Sequence, residues 1–135
     1  FLGADTIVVV DDRVLGKPGG PGEARGMLEM LSARAHEVIT GVCLVGPEGD
    51  VLANETVTSR VWMRRIGTGE LDAYIETGEP LDKAGGYAIQ GEAGRFVDRV
   101  EGSYTNVVGL PVERVRRLLM QAGLVREPSK GVSAA

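Results

Sequence analysis

The sequence predicts an α/β domain in which helices pack against a single β-sheet. Runs of β-branched residues alternate with a segment of helical period early in the chain, and further strand patterns cluster later. This order is typical of α/β or α+β domains built on one sheet. With 135 residues, of which 43% are apolar and only 4% aromatic, the chain can bury one aliphatic core.

Charge and cysteine content argue against several classes of function. Fifteen Lys and Arg against 19 Asp and Glu give a net charge of −4, which disfavours sequence-independent binding to nucleic acid or anionic membranes. The single cysteine, Cys43, excludes an internal disulfide, and the single histidine, His36, disfavours a His-rich zinc site. No apolar run approaches the roughly 20 residues of a membrane span. These features predict a cytoplasmic protein.

The first 35 residues predict a strand, a reversal and a helix. Thr6–Val10 is a β-branched run, and Asp11–Arg13 supplies the reversal before a second short strand. The Gly- and Pro-rich stretch 16–23 predicts a loop. Over Glu23–Ala35 one stripe of apolar residues recurs at helical spacing, namely Ala24, Met27, Leu28 and Leu31.

A hairpin and a second helix are predicted next. Val38–Val45 and the stretch from Val51 to Met63 have strand patterns, and Pro47–Asp50 forms the turn between them. Thr68 is expected to be the N-cap of a short helix that ends at Gly78. The inner face of that helix is Leu71, Tyr74 and Ile75.

The last third of the chain predicts a long loop, two strands and a helix. The stretch 79–94 is rich in glycine and lacks sustained periodicity. Arg95–Val100 and Tyr104–Val108 have strand composition. Pro111 starts the last helix, where its missing N–H is tolerated, and Gly123 ends it.

Asp5 is the first candidate for chemistry, because it stands at the head of an apolar strand. A carboxylate so close to a core requires a cation, a metal ion or hydrogen-bond donors. It is therefore a candidate metal ligand or a base that activates water. The alternative is the more common one, a strand-end aspartate whose oxygens accept local N–H groups.

Two loops carry further candidates. Lys17 follows a glycine, where a mobile ammonium suits a phosphate oxygen, although the spacing of a P-loop is absent. Gln90 lies between Ile89 and Gly91 in an unusual stretch, Asp82–Gly91, and its carboxamide has the donor and acceptor needed to recognise a base edge. A solvated lysine and an ordinary surface loop are the alternatives. His36 is expected to be structural.

Six segments occur in an order that resembles the Maf family of nucleotide pyrophosphatases. They are GADTIVV, LGKP, EARxMLxxLS, HEVITGV, TGEPLDKAGGYAIQG and SYTNVVGLP, and the resemblance extends from about Gly3 to Leu119. It implies an elongated α/β fold with a long, twisted, mixed β-sheet and flanking helices, similar to that of the inosine-triphosphate pyrophosphatases. A cleft across that sheet would hold a nucleoside triphosphate.

The resemblance also implies an activity. Members hydrolyse the bond between the α and β phosphates with a divalent cation, Mg²⁺ or Mn²⁺, and release a monophosphate and pyrophosphate. The TGEPLDKAGGYAIQG form is similar to the branch that acts on dTTP, UTP and modified uridine triphosphates in nucleotide-pool cleaning. The alternatives are the sister branch acting on 7-methyl-GTP and a non-catalytic role in arresting septum formation and cell division. The implied partner is a nucleotide rather than nucleic acid or membrane, with a homodimer left open.

Four residues match the family's functional positions, and the chemistry of a triphosphate adds a fifth candidate. The resemblance makes Asp5 the proton acceptor, and its carboxylate is also the candidate metal ligand. The resemblance places Lys17 on the phosphates, and the charge of the polyphosphate makes Lys83 a candidate for a second point charge. Thr6 and Gln90 would tune the selectivity for the base.

The chain also departs from the family pattern. Nothing in Phe1–Ala4 matches the Ser-x-Ser-Pro-Arg-Arg loop and the acidic residue that precede the aspartate in the family. We therefore expect residues 1–123 to form an N-terminally incomplete domain, followed by a flexible tail at 124–135. The family usually has Gly where Asp12 stands and Ala where Gly86 stands.

Overall fold

Five strands form the framework of the structure, a computed structural model that describes residues 1–124. They are β1 (Leu2–Val10), β2 (Arg13–Leu15), β3 (Ala35–Val45), β4 (Val51–Met63) and β5 (Val97–Glu101). The strands form one sheet in the order β2-β1-β3-β4-β5, and all four pairings among residues 1–124 are antiparallel. The α/β class with flanking helices is confirmed, whereas the mixed strand direction that the resemblance implied is not found in these residues.

Four α-helices accompany the sheet. They are α1 (Pro21–Leu31), α2 (Thr68–Glu76), α3 (Tyr104–Val108) and α4 (Val112–Gln121). The stretch predicted as a long loop contains three short 3-10 turns, at Glu79–Asp82, Ala84–Gly86 and Glu92–Phe96. No helix in the described part of the chain is long and apolar enough to cross a membrane.

One face of the sheet carries the core. Alternate residues of β3 are buried and so share that face, namely His36, Val38, Thr40, Val42 and Leu44. The predicted stripe of α1 packs against this face, with Leu28 and Leu31 fully buried. Each such leucine contributes about 1.5–3 kcal/mol of burial free energy. A smaller cluster joins Val42 to the inner face of α4.

The first reversal is a two-residue turn, because Val10 pairs directly with Arg13. Asp11 and Asp12 have φ values of 49° and 60°, the left-handed conformation that a type I′ turn requires at both central residues. The side chain of Asp11 also pairs with Arg34. The hairpin predicted from this sequence is therefore present, with a longer first strand than the apolar run alone indicated.

The prediction of a strand at Tyr104–Val108 is wrong, because this segment is helix α3. The Ser103 side chain caps it by accepting the Asn106 amide at 3.1 Å, and Gly109, with φ of 138°, follows its last residue. The fully buried Asn106 side chain donates to backbone oxygens of β3 and β4. These tertiary contacts outweigh the strand propensity of a short β-branched run.

The other boundaries shift by a few residues. Helix α1 begins and ends earlier than predicted, since Ala35 already belongs to β3. Gly67 rather than Thr68 is the N-cap of α2, and its amide donates to the Glu70 carboxylate at 3.1 Å. The strand predicted at Arg95–Val100 is β5, which begins two residues later, at Val97. The predicted tail lies outside the described residues except for Leu124.

Candidate active site

A cavity of about 890 Å³ opens beside strand β1. Its wall includes Asp5 and Thr6 from β1, Lys17 from the loop after β2, and Lys83 and Gln90 from the segment of 3-10 turns. These are the five site residues that the sequence indicated, four by resemblance and Lys83 by its charge. The structure thus brings three separate stretches of chain to one cavity.

Asp5 lies on the exposed part of β1, opposite Gly41 of β3. One carboxylate oxygen accepts the Thr6 amide at 3.0 Å. Within the described residues the other oxygen has no hydrogen-bond partner. The local N–H bond of the structural alternative is therefore present, yet it occupies only half of the carboxylate and leaves an oxygen for water or a cation.

The Thr6 hydroxyl is engaged on both sides. Its oxygen lies 2.9 Å from the Thr40 hydroxyl, and it donates to the Gly109 carbonyl at 3.2 Å. Because its proton goes to Gly109, Thr40 is the donor in the other bond, and Thr6 can only accept from a ligand. Thr6 therefore fastens the end of α3 to the sheet next to Asp5.

The two lysines are carried by loops that contact each other. The Gly85 amide donates to the Gly16 carbonyl at 3.1 Å, which joins the residues next to Lys17 to the turn that follows Lys83. Both lysine side chains are exposed, and the Lys83 ammonium lies 3.9 Å from the carboxylate of Asp82. The cavity wall thus carries two mobile positive charges suited to phosphate oxygens.

Tyr87, which lines the cavity, is anchored from beneath by His36. The tyrosine hydroxyl lies 2.6 Å from Nε2 of His36, and the two rings meet edge to face. Burial lowers the pKa of His36 to about 4 and raises the pKa of the Tyr87 hydroxyl. The imidazole is therefore neutral near pH 7, in agreement with the structural role expected for it.

The carboxylates of the cavity suit a hard cation only together with a ligand. Asp5, Glu79 and Asp82 line it, but residues 1–124 contain no cluster of three or more His, Cys, Asp or Glu side chains placed to hold a metal. Mg²⁺ is commonly bound by one or two carboxylates plus substrate phosphates and water rather than by a protein cage. One free oxygen on Asp5 fits that pattern.

Sequence reasoning missed two residues of the cavity wall, Glu79 and Tyr87. Tyr87 lies in the DKAGGYAIQG stretch already singled out, and an aromatic residue directly after two glycines was a usable signal. Glu79 has no such signal. Its position depends on the turn at Glu79–Asp82 and on a hydrogen bond from Glu92, which is thirteen residues further along the chain.

A family model and several similar proteins point to the same family. A family model described as Maf-like protein matches residues 1–122. A dTTP/UTP pyrophosphatase of Koribacter versatilis is 52% identical over 124 residues, which cover 92% of this chain and 63% of the relative. A protein of the same name from Thermococcus gammatolerans is 50% identical over 87% of this chain and 62% of its own length. Another, from Syntrophus aciditrophicus, is 48% identical over 90% of this chain and 60% of its own length. The chain thus spans a little under two thirds of these relatives.

Proposed function

The chain belongs to the Maf family, and on that premise we propose that it carries the active site of a dTTP/UTP pyrophosphatase. The substrates are dTTP, UTP and modified uridine triphosphates, and the products are the monophosphate and pyrophosphate. The names of the relatives support this substrate class. The observation that carries the proposal is the single cavity shared by Asp5, Lys17 and Gln90.

Asp5 is proposed to orient and deprotonate the attacking water. The new bond joins the water oxygen to phosphorus, the bond between the α and β phosphates breaks, and its electron pair leaves with pyrophosphate. The partner-free oxygen of Asp5 supports this role, because a general base must have an acceptor within hydrogen-bond reach of the water whose proton it takes. Positioned general bases contribute typically 10²–10⁴-fold in rate.

Lys17 and Lys83 are proposed to offset the charge that develops on the leaving pyrophosphate. Their ammonium groups lie on a wall that is otherwise rich in carboxylates, so a triphosphate needs them and a further cation. Mg²⁺ or Mn²⁺, held by Asp5 and phosphate oxygens, supplies Lewis-acid charge neutralisation when bound. Positive charge at this position stabilises the transition state, because negative charge develops there on the leaving pyrophosphate.

Thr6 and Gln90 are proposed to contribute to base selection. The exposed Gln90 carboxamide can both donate and accept, as the edge of a pyrimidine requires. Thr6 can offer only an acceptor to the base, since its hydroxyl proton is donated to the Gly109 carbonyl.

The net charge of −4 supports a nucleotide rather than a nucleic acid as the binding partner. A cytoplasmic location and a homodimer belong to the same proposal.

Product identification tests the proposal. The full-length protein is incubated with dTTP, UTP, 7-methyl-GTP and the other common triphosphates in the presence of Mg²⁺ or Mn²⁺, and both phosphate products are quantified. We expect equimolar monophosphate and pyrophosphate, with UTP or dTTP preferred. Orthophosphate as the sole product would exclude the proposed bond cleavage, and a preference for 7-methyl-GTP would favour the sister branch.

A further inference from the structure

Glu79 is held by its backbone amide and by its carboxylate. Its backbone amide donates to the Thr77 hydroxyl at 3.1 Å, directly after Gly78, whose φ of 76° turns the chain. Its carboxylate reaches across to the far end of the cavity segment, where Oε2 accepts the amide of Glu92 at 3.2 Å. The half-buried side chain lines the cavity. The orientation of this carboxylate is therefore fixed by the fold.

The second carboxylate oxygen lies against Gly91, the residue that follows Gln90. A Cβ placed on Gly91 would be only 1.4 Å from Oε1 of Glu79, so the carboxylate fills the volume of a side chain at position 91. Within residues 1–124 no group donates to Oε1. Glu79 and Gln90 line the same cavity, so its wall carries a carboxylate acceptor and a carboxamide one residue from that acceptor's contact at Gly91.

A fixed carboxylate distinguishes nucleobases by the hydrogen on their ring nitrogen. A carboxylate has acceptors only. Uracil and thymine carry N3–H between two carbonyl groups, whereas the same nitrogen of cytosine is an acceptor and would face the carboxylate oxygen without a proton. Guanine has an equivalent N–H and adenine does not. Sites built around a buried or fixed polar partner reject analogues that cannot complete the bond.

We propose that Glu79 is a specificity-determining residue that accepts the ring N–H of uracil or thymine, with Gln90 donating to the adjacent carbonyl. This inference rests on the proposed function for its substrate class. It extends that function by giving the cavity a physical means to reject cytosine and adenine nucleotides. Preorganised hydrogen-bonding groups of this kind gain specificity because their orientation is set before the ligand arrives.

Glu79→Gln is the direct test. The variant amide can keep an oxygen on the Glu92 amide and present an NH₂ group at the position of Oε1, which suits N3 of cytosine. We expect the UTP-to-CTP ratio of kcat/KM to fall by at least about 30-fold, with CTP gaining in absolute terms. Glu76→Gln, which removes the same charge from the exposed end of α2 outside the cavity lining, should leave the ratio unchanged.

Gly91→Ala tests the same acceptor without altering its chemistry. The φ of −91° at Gly91 is open to any residue, so the added methyl group displaces the Glu79 carboxylate from its bond to the Glu92 amide rather than shifting the backbone. We expect kcat/KM for UTP to fall while kcat/KM for CTP does not rise, because the variant introduces no hydrogen-bond donor for N3 of cytosine. This variant also carries the test should Glu79→Gln fail to fold.

Binding of the monophosphates separates this inference from the proposed function. UMP and CMP are titrated calorimetrically into the wild-type protein and both variants. If UMP binds more tightly than CMP and Glu79→Gln removes the difference, the inference stands even where no triphosphate is hydrolysed. An unchanged base preference in Glu79→Gln would overturn it, as would equal binding of UMP and CMP to the wild type. A loss of metal affinity at constant base preference would reassign Glu79 as a cation ligand.

Discussion

The backbone amide of Gly85 donates a 3.1 Å hydrogen bond to the carbonyl of Gly16, and this contact joins the two loops that carry Lys17 and Lys83. Gly85 has φ of 72°, and a Cβ there would lie 3.0–3.2 Å from the side chain of Val8. The contact is therefore made directly over strand β1, three residues from Asp5. Close packing at one glycine fixes the positive side of the cavity relative to the proposed base.

Replacing Gly85 with alanine tests this arrangement. A left-handed conformation costs a non-glycine residue roughly 1–2 kcal/mol, and the methyl group also presses on buried Val8. We expect Gly85→Ala to lower the free energy of unfolding by roughly 1–3 kcal/mol in denaturant titrations, and to raise KM for UTP more than it lowers kcat. Gly26→Ala in α1, where a Cβ meets nothing within 4 Å, should instead stabilise by about 0.5–1 kcal/mol.

His36 makes stability depend on pH. Burial lowers its pKa to about 4 from the ordinary value of 6.5, so the unfolded chain binds a proton in a range where the folded chain does not. Stability therefore falls as the pH drops through that window, by about 2 kcal/mol from about pH 7 to about pH 5. Urea titrations of His36→Gln should show a pH dependence flatter by this amount. If the free energy of unfolding changed with pH in the same way in both proteins, His36 would not be neutral and buried as described.

The turn at Asp11 and Asp12 is a site where glycine should stabilise the fold. Asp12 has φ of 60°, and Asp-Gly is a preferred pair for a type I′ turn. We expect Asp12→Gly to raise the free energy of unfolding by about 0.5–1 kcal/mol, because the left-handed penalty is relieved. Asp98→Gly, in the ordinary extended backbone of β5, should lower it by a similar amount. Thermal unfolding of both variants gives the comparison.

The strands and the longer helices were predictable because their signals are local. Alternating burial in β3 and the apolar stripe of α1 follow directly from period-two and helical patterns. Helix α3 was not predictable in this way. Five residues are too few for a period, and its helical state depends on the burial of Asn106 against strands more than 40 residues away.

The candidate site was predictable only in part for the same reason. Asp5, Lys17 and Gln90 stand in recognisable motifs, and the resemblance identified them without coordinates. Thr6 was identified in the same way, but its hydrogen bond to Gly109 depends on where α3 ends. Glu79 was not identified, because a backbone turn brings its carboxylate to Gly91. A single sequence contains no local pattern that predicts such contacts between distant segments.

The catalytic role of Asp5 is tested by kcat/KM for UTP in Asp5→Asn, with pyrophosphate as the detected product. Asn keeps the shape of the side chain and an oxygen for the Thr6 amide, but it cannot take a proton from water. Asp98→Asn, an exposed site on β5 outside the cavity lining, serves as the charge-matched control. We expect a loss of about 10²–10⁴-fold for Asp5→Asn and no loss for the control. Activity of Asp5→Asn within about twofold of the wild type would contradict a catalytic role for this carboxylate.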